Sequence, residues 1–503
     1  MSDTTLQTPP ILASDDRGSS RTSGPGRAWS FVVRHPWWFV ALAVVVFSAV
    51  LVRATNTRPG YDPYGWLVWG YQTLRLSLDL GGAPSWKPFT YLFAVPFALF
   101  GHDALWLWMV TSVATSLAGC IFAGRIAYRL TDADPEHRYA AIAAGVFAGL
   151  ALLGIQDYMH YVLSVQSDPM LVTACLAAID CHLCGHHRWA FGLGVLAALG
   201  RPEAWPFVGV YAVWAWRAIP SMRWFIYAGL ALIPLLWFGV PTITNHRPDI
   251  AGQLALESPR ELHGNKVIGT IDRFTALTYL PVQLAALLAV IWAAFRRDRT
   301  VLVLGSAVVA WVVVEIAFAL HGWPGVPRYL FEPAGVMIAL SGVLVGWLLL
   351  DAPRLRAGWP GWIGVPLVAL LCVSLIPGAL AQLRAEHKDV LHERKRTVQI
   401  NKLAATLNAL GGYKHVLACG KPVINVEYVS IMAWYTKLDT GFVGHRPNFE
   451  LQQAYPIVLF TPLPNGWAIK PYHTAPSMQA ACANLTALYV PTAYHPHGVL
   501  IHK

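Results

Sequence analysis

From about residue 36 to residue 382 the chain is a succession of apolar runs separated by short polar breaks, many of which carry arginine. Few folds accept this pattern. A run of about 20 apolar residues crosses roughly 30 Å of hydrocarbon as a helix. No water is present there to hydrogen-bond the backbone, so a crossing segment must satisfy its own N–H and C=O groups or close into a barrel. The runs here are continuous rather than alternating, which selects helices. Charged residues are 13% of the 503, against roughly 25% in an average soluble protein.

Arginine placement sets the orientation. Arg17, Arg21, Arg27 and Arg34 precede the first run, about 36–54, and put the N-terminus in the cytoplasm. Further spans read over about 104–124, 139–156, 169–185, 189–200, 205–217, 224–243, 276–295, 300–320, 332–350 and 360–382. Run 86–101 is short and contains Pro88 and Pro96. If it crossed, Arg125, Arg129 and Arg138 would lie outside. As a juxtamembrane helix on the outer face it leaves them inside, together with Arg217, Arg223, Arg296, Arg297, Arg299, Arg354 and Arg356. The second assignment gives a polytopic α-helical membrane protein of about eleven transmembrane helices with outer-face juxtamembrane helices.

Residues 1–33, rich in Ser, Thr, Pro, Gly and Asp, read as a disordered cytoplasmic tail ahead of a transmembrane domain over 34–383. No signal-peptidase site is evident, so the first run is expected to stay as a span. Residues 384–503 are more polar. A helical stretch from about Arg384 gives way to short β-rich runs such as HVLACG and PIVLF, broken by Gly, Pro and Asn. A small extracytoplasmic α/β or α+β soluble domain is expected. Cys419 and Cys482 fall in it and can pair in an oxidising compartment; the sequence leaves that pairing open. Asn484-Leu485-Thr486 matches a glycosylation sequon, which means something only in a cell with that machinery. The net charge of +10 gathers at span ends without basic and aromatic interleaving, so no nucleic-acid partner is expected. High Ala, Gly, Arg and Trp usage suits a bacterium and its inner membrane.

The outer loops collect the ionisable residues. In GYDPYGWLVWGYQTL, Asp62 lies between Tyr61 and Pro63. Asp before Pro is a helix start, which makes Asp62 an N-cap, and the same carboxylate can also act as a base. Tyr64, Trp66, Trp69 and Tyr71 suit an interfacial helix at headgroup level. Trp86, Lys87 and Pro88 open the next such helix; Lys87 either snorkels to lipid or holds a phosphate as a point charge. Asp168, in SVQSDPM, repeats the Asp-Pro start, with Asp157 and His160 close by. Arg201 and Glu203 interrupt otherwise apolar sequence, where a charge is costly in lipid, so they are expected to face protein, water or a headgroup. HGWPGVPRYLFEPAG carries His321, Arg328, Tyr329 and Glu332. Glu315, inside a span, needs a partner. On the cytoplasmic side, IDCHLCGHHR brings Cys181, His182, Cys184, His186 and His187 together in spacing that suits zinc or a redox pair, but it offers no second ligand pair, and no metal ligand is assigned.

Taken in order, these features resemble the GT-C glycosyltransferases. They are Asp62 soon after the first span, the aromatic juxtamembrane helices, Trp86-Lys87-Pro88 before PFALFGHDALW, a short span ending LAALGRPEAW, and the outer PRYLFEP. The likeness is to the bacterial branch related to protein mannosyltransferases and lipid A aminoarabinose transferases, over roughly residues 36–350. It implies a hexosyl- or pentosyltransferase working at the outer face. The donor would be a sugar on a polyprenyl phosphate, the acceptor a glycan, lipid or protein of the cell envelope, and the sugar would be inverted. Asp62 matches the general base of the first outer loop. Lys87, Arg201 and Arg328 are the candidates for the donor phosphate. Tyr61, Tyr64, Trp66, Trp86, Asp168, Glu203, His321 and Tyr329 would line the substrate. Many members carry two adjacent acidic residues where this chain has Asp62 and Pro63, so a divalent metal is left open and no cofactor is assigned.

Two other classes fit parts of the pattern. A transporter would use Glu315, but it predicts an internal repeat and helices broken at the bilayer midplane, and no repeat is evident. A non-catalytic envelope assembly protein would reduce Asp62 to a helix cap.

Overall fold

A computed structural model describes residues 36–81, 86–256, 260–351, 363–453, 455–464, 466–474, 476–482, 485 and 488–489. The sequon at Asn484 and the tail over 1–33 lie outside the described residues, apart from Leu485. The principal helices are α1 (Pro36–Thr55), α2 (Tyr61–Leu74), α3 (Pro88–Ala98), α4 (Ala104–Thr131), α5 (Arg138–Leu152), α6 (Asp168–Leu183), α7 (His187–Gly200), α8 (Trp205–Ala218) and α9 (Arg223–Pro234). They continue as α10 (Lys266–Ala276), α11 (Leu280–Arg296), α12 (Arg299–Leu320), α13 (Phe331–Asp351) and α14 (Gly364–Ala409).

Helix occupies every position where a span was expected, but the spans are not equivalent. Among the described residues, six segments are long and apolar enough to cross a bilayer: 37–55, 101–131, 220–245, 299–320, 327–350 and 364–409. A seventh arises if α10 and α11, bent by 100° at their junction, form one broken span. Helices α5 to α8 have 15, 16, 14 and 14 residues. At 1.5 Å per residue they are about 21–24 Å long, short of the hydrocarbon thickness. The polytopic helical architecture stands as expected, with α5 to α8 shorter than those candidate spans. Of these, α6 is enclosed by protein, packing against α4, α7 and α13, whereas α5 and α8 keep exposed apolar faces. Helix α13 is the axis of the bundle, with most of its surface inside the protein.

Small residues set the tightest crossings. A Cβ on Gly124 of α4 would stand 2.7 Å from the Gly145 carbonyl of α5, so those two helices meet backbone to backbone. Likewise a Cβ on Gly70 would stand 2.3 Å from the Ala94 carbonyl, which is how α2 lies directly on α3. The α3 helix has 11 residues. That is about 16 Å, half of what a crossing needs, in keeping with a juxtamembrane helix rather than a span.

Helix α14 has 46 residues and runs unbroken through residue 383, where a domain boundary was expected. By length and composition its apolar first part is a candidate span, and its polar second part is a stalk for the C-terminal domain. There a four-stranded mixed sheet has the order β1-β2-β3-β4, from β1 (Lys421–Ile424), β2 (Ile457–Leu463), β3 (Gly466–Tyr472) and β4 (Leu488–Tyr489). Strands β1 and β2 are parallel, joined through helical turns that include α15 (Val429–Thr436), and the other pairs are antiparallel. This is the small α+β domain that was expected, with PIVLF in β2; the run HVLACG, read as β-rich, is instead helical within Tyr413–Cys419.

Cys419 and Cys482 form a disulfide across 63 residues, and both are buried. Closing a loop of that length removes about 4 kcal/mol of chain entropy from the unfolded domain. Cys419→Ser, or reductant on the native protein, is therefore expected to speed hydrogen exchange across β1 to β3 while leaving the helical bundle protected. Unchanged exchange in the domain would mean that the bond contributes nothing to it.

Candidate functional site

The C-terminal domain reaches the membrane domain through α2, and that contact builds the site. Tyr71 Oη donates to the carbonyls of Ala433 (3.1 Å) and Leu438 (3.0 Å), and the Tyr64 ring lies 6.3 Å from Tyr435. On the other side of α2, Trp66 meets Trp108 edge-on at 5.4 Å and Trp69 lies 5.2 Å from Trp86. Tyr64, Trp66 and Trp69 are thus fully buried in protein rather than facing lipid headgroups. Their ring area is covered by α15, α3 and α4 rather than by lipid. Trp86 is fixed by its indole N–H, which donates to the Leu236 carbonyl at 3.0 Å.

Asp62 is not the N-cap. The backbone at Gly60 caps α2, and Asp62 sits in the first turn without a capping hydrogen bond from its side chain. A carboxylate there is favoured by the helix dipole and is left free to do something else. Its side chain is a quarter exposed. Its neighbour Tyr61 lies near Ser430 of the C-terminal domain, and burial pushes the Tyr61 hydroxyl above its ordinary pKa.

Asp168 also differs from expectation. Ser167 holds the cap position and Asp168 is the first residue of α6, its side chain wholly buried. Three cations converge on it. Arg201 Nη2 pairs with Oδ1, Lys87 Nζ stands 3.9 Å from Oδ1, and Arg328 Nη1 stands 4.0 Å from Oδ2. Lys87 precedes Pro88 at the start of α3 and points inward, to within 3.4 Å of Ser167 Oγ and 5.8 Å of the Trp66 ring. It does not snorkel. Burial pushes its ammonium below the ordinary lysine pKa; Asp168 opposes that shift, while Arg201 and Arg328 add to it.

Arg201 ends α7 in extended backbone, as a residue before proline prefers. Its guanidinium is enclosed: Asp168 on one side, Glu332 Oε1 at 3.4 Å from Nε, Glu203 Oε1 at 3.9 Å from Nη1, and the Tyr329 ring beneath at 4.0 Å. Nη2 also donates to the Arg328 carbonyl at 3.3 Å. Glu315 is buried close to Glu203.

Arg328 links the two aspartates. Its Nη1 is 4.0 Å from Asp62 Oδ2 and 4.0 Å from Asp168 Oδ2, and its guanidinium lies 5.7 Å from the Tyr161 ring. The sequence reading therefore found Asp62, Lys87, Asp168, Arg201, Glu203, Arg328 and Tyr329, and the fold brings them together. His321, at the C-cap of α12, is exposed and makes no hydrogen bond, ion pair or ring contact with this group. Tyr161, Ser430 and Tyr435 were missed. Nothing local in the sequence marks them, because their roles arise from contacts across the fold. Glu332 was noted in its loop but not as a partner of Arg201.

Several buried polar atoms here lack a hydrogen-bond partner among the described residues: Trp66 Nε1, Trp69 Nε1, Gln166 Oε1, Asp168 Oδ2 and Arg328 Nε. Buried polar atoms are ordinarily satisfied, so the arrangement suits an oxygen-rich ligand. It does not suit a divalent cation at Asp62, whose charged neighbour is the Arg328 guanidinium, while Asp168 is already held by three cations.

No protein-family model matches the chain, and none of the curated proteins matches it either. Among solved structures it is similar to ArnT from Cupriavidus metallidurans bound to undecaprenyl phosphate. That match has 16% identity and a TM-score of 0.49 and covers 92% of this chain and 97% of that one. The apo form of the same protein matches at 16% identity and a TM-score of 0.47, covering 91% and 95%.

At the other end of α6 the Cys-His segment is packed rather than open. Asp180 pairs with Arg125 Nε at 2.9 Å and Arg129 Nε at 3.2 Å, Cys184 Sγ accepts from Arg125, and the His182 and His187 rings lie against Trp214.

Proposed function

We propose that this protein is an integral-membrane glycosyltransferase of the GT-C type, moving a sugar from a polyprenyl phosphate to a hydroxyl of a cell-envelope acceptor. The observation that carries the reading is the placement of Arg328, midway between a partly exposed carboxylate, Asp62, and a buried one, Asp168, with Lys87 on the same buried carboxylate. Such a site joins a base to a pair of cations, which is what displacement at a glycosyl phosphate requires. The acceptor oxygen attacks the anomeric carbon and its proton passes to Asp62. The bond from that carbon to the phosphate oxygen breaks, and its electron pair leaves with the polyprenyl phosphate. Lys87 and Arg328 receive the added charge. One displacement inverts the anomeric centre. Arg201, surrounded by carboxylates, is a positioning residue in this scheme: it holds Asp168, and Asp168 holds the two working cations. Tyr61, Trp66 and Tyr329 line the approach.

The test is transfer from a radiolabelled polyprenyl-phosphate sugar by the purified full chain in nanodiscs, with envelope extract as acceptor. Label is expected to move to the acceptor with inverted configuration. Movement of label across the bilayer without a change of covalent partner would favour the transporter reading instead.

The scheme needs Asp62, Lys87, Asp168, Arg201 and Arg328 at the outer face. The Cys419–Cys482 disulfide supports this, since such bonds persist in oxidising compartments and its domain sits on α2. The arginine loops support it from the other side. Glu136 is exposed in the α4–α5 connection. In a variant lacking the free cysteines, Glu136→Cys is expected to react with a membrane-impermeant maleimide only after the cytoplasmic face is opened. Labelling in intact cells would reverse the orientation and remove the proposed outer-face site.

A further inference from the structure

A second group of chemistry-bearing side chains lies away from Asp62. His160, on the short helix Tyr158–Leu163, and Asp389 and Glu393, on the stalk of α14, have ligand atoms all within 4.8 Å of one another. His160 Nδ1 is 2.8 Å from Asp389 Oδ2. Asp389 and Glu393 are four residues apart, so they project from one face of the helix. Glu386 lies one turn earlier and feels the charges of Asp389, His160 and Asp157. Its Oε2 is buried and has no hydrogen-bond partner among the described residues. Two carboxylates thus stand beside one imidazole, with Glu386 one turn before Asp389, and of the nearby cations Arg396 pairs with Glu393.

We propose that His160, Asp389 and Glu393 bind a divalent transition-metal ion, zinc, with Glu386 as an additional oxygen donor. One imidazole nitrogen with carboxylate oxygens is an ordinary zinc donor set, with ligand bonds of about 2.0–2.2 Å. Around a tetrahedral ion such donors stand roughly 3.4 Å apart, which these side chains reach by small rotations. The nitrogen donor favours zinc over magnesium or calcium. The excess of carboxylates, and the unpaired Glu386 oxygen among them, would be answered by the ion's charge.

The consequence is a clip. The outer segment that ends at Asp168 already leans on α14, where Gln382 Nε2 donates to the Ile155 carbonyl at 3.0 Å. The metal would pin the same segment two to three turns of stalk further on, at Asp389 and Glu393. Tyr161, beside His160, carries the Arg328 guanidinium over its ring. The ion would therefore fix the loop behind the cation cluster without touching the reacting atoms. This inference does not depend on the proposed reaction, because it is read by metal content and not by activity.

Full-length protein without a polyhistidine tag, in nanodiscs, would be stripped with chelator and equilibrated with zinc chloride. Elemental analysis is expected to find about one zinc ion per chain retained after desalting. Retention is expected to weaken at least about tenfold in His160→Ala and in Asp389→Asn. It should persist in His387→Ala, an exposed histidine on the same helix, and in His182→Ala near the Cys-x-x-Cys segment. Zinc is also expected to raise the Tm of the wild type but not that of His160→Ala, provided that variant elutes as a single folded species. Equal zinc retention in wild type and His160→Ala, retention lost in His182→Ala alone, or equal binding of magnesium would each overturn the proposal.

Discussion

Asp62→Asn is expected to lower the proposed sugar transfer by roughly 10²–10⁴-fold, the usual worth of a positioned general base, and to leave the protein folded. The substitution keeps the shape of the side chain and removes its ability to take a proton. Folding should tolerate it because Asp62 is partly exposed, makes no capping hydrogen bond, and shares Arg328 with Asp168, which remains. Donor binding should hold or improve, since Arg328 loses a competing carboxylate. The loss should therefore fall on kcat, with KM for the donor unchanged or lower, as for an interaction made only in the transition state. A variant that keeps full kcat removes Asp62 from the base role. A variant that keeps kcat but loses donor affinity makes Asp62 a binding residue instead.

The membrane architecture was legible because hydrophobic runs and arginine loops obey simple physics: a crossing needs length, and cations stay inside. The same signals did not set α5 to α8 apart, because a run of 14 to 16 apolar residues reads alike whether lipid or protein surrounds it. The site was partly legible for a related reason. Lys87, Asp168, Arg201 and Arg328 stood out as charges beside apolar sequence, where charge is costly and is kept for a purpose. Their partners did not stand out. That Arg201 is shared among Asp168, Glu332 and Glu203, and that Tyr71 reaches Ala433 and Leu438 across the domain contact, depends on chain segments far apart in sequence. Asp-Pro pairs misled in both loops. The helix starts where the motif says, but the cap position falls to Gly60 and Ser167, and the carboxylates are released for ion pairing.

Arg201 is where the largest loss of stability is expected. Arg201→Met would leave Asp168, Glu203 and Glu332 buried without the guanidinium that faces all three, and breaking such a buried pair costs about 3–5 kcal/mol. The side chain is only 4% exposed, so solvent screens little of this. Asp168→Asn should also destabilise, by leaving Lys87, Arg201 and Arg328 close together without their shared carboxylate. The decisive measurement is the double variant. If Arg201 acts through Asp168, the two losses overlap, and Arg201→Met/Asp168→Asn should cost less than the sum of the singles by about 0.5–3 kcal/mol. Reversible unfolding in mixed micelles reads all four corners of the cycle. Strict additivity would separate the two residues and return Arg201 to the group that binds donor phosphate directly. In that case Arg201→Met should raise donor KM while leaving the fold intact. Arg201→Lys discriminates further: a single ammonium cannot face three carboxylates from one position as the planar guanidinium does. It should therefore recover little of the lost stability, although the charge is kept.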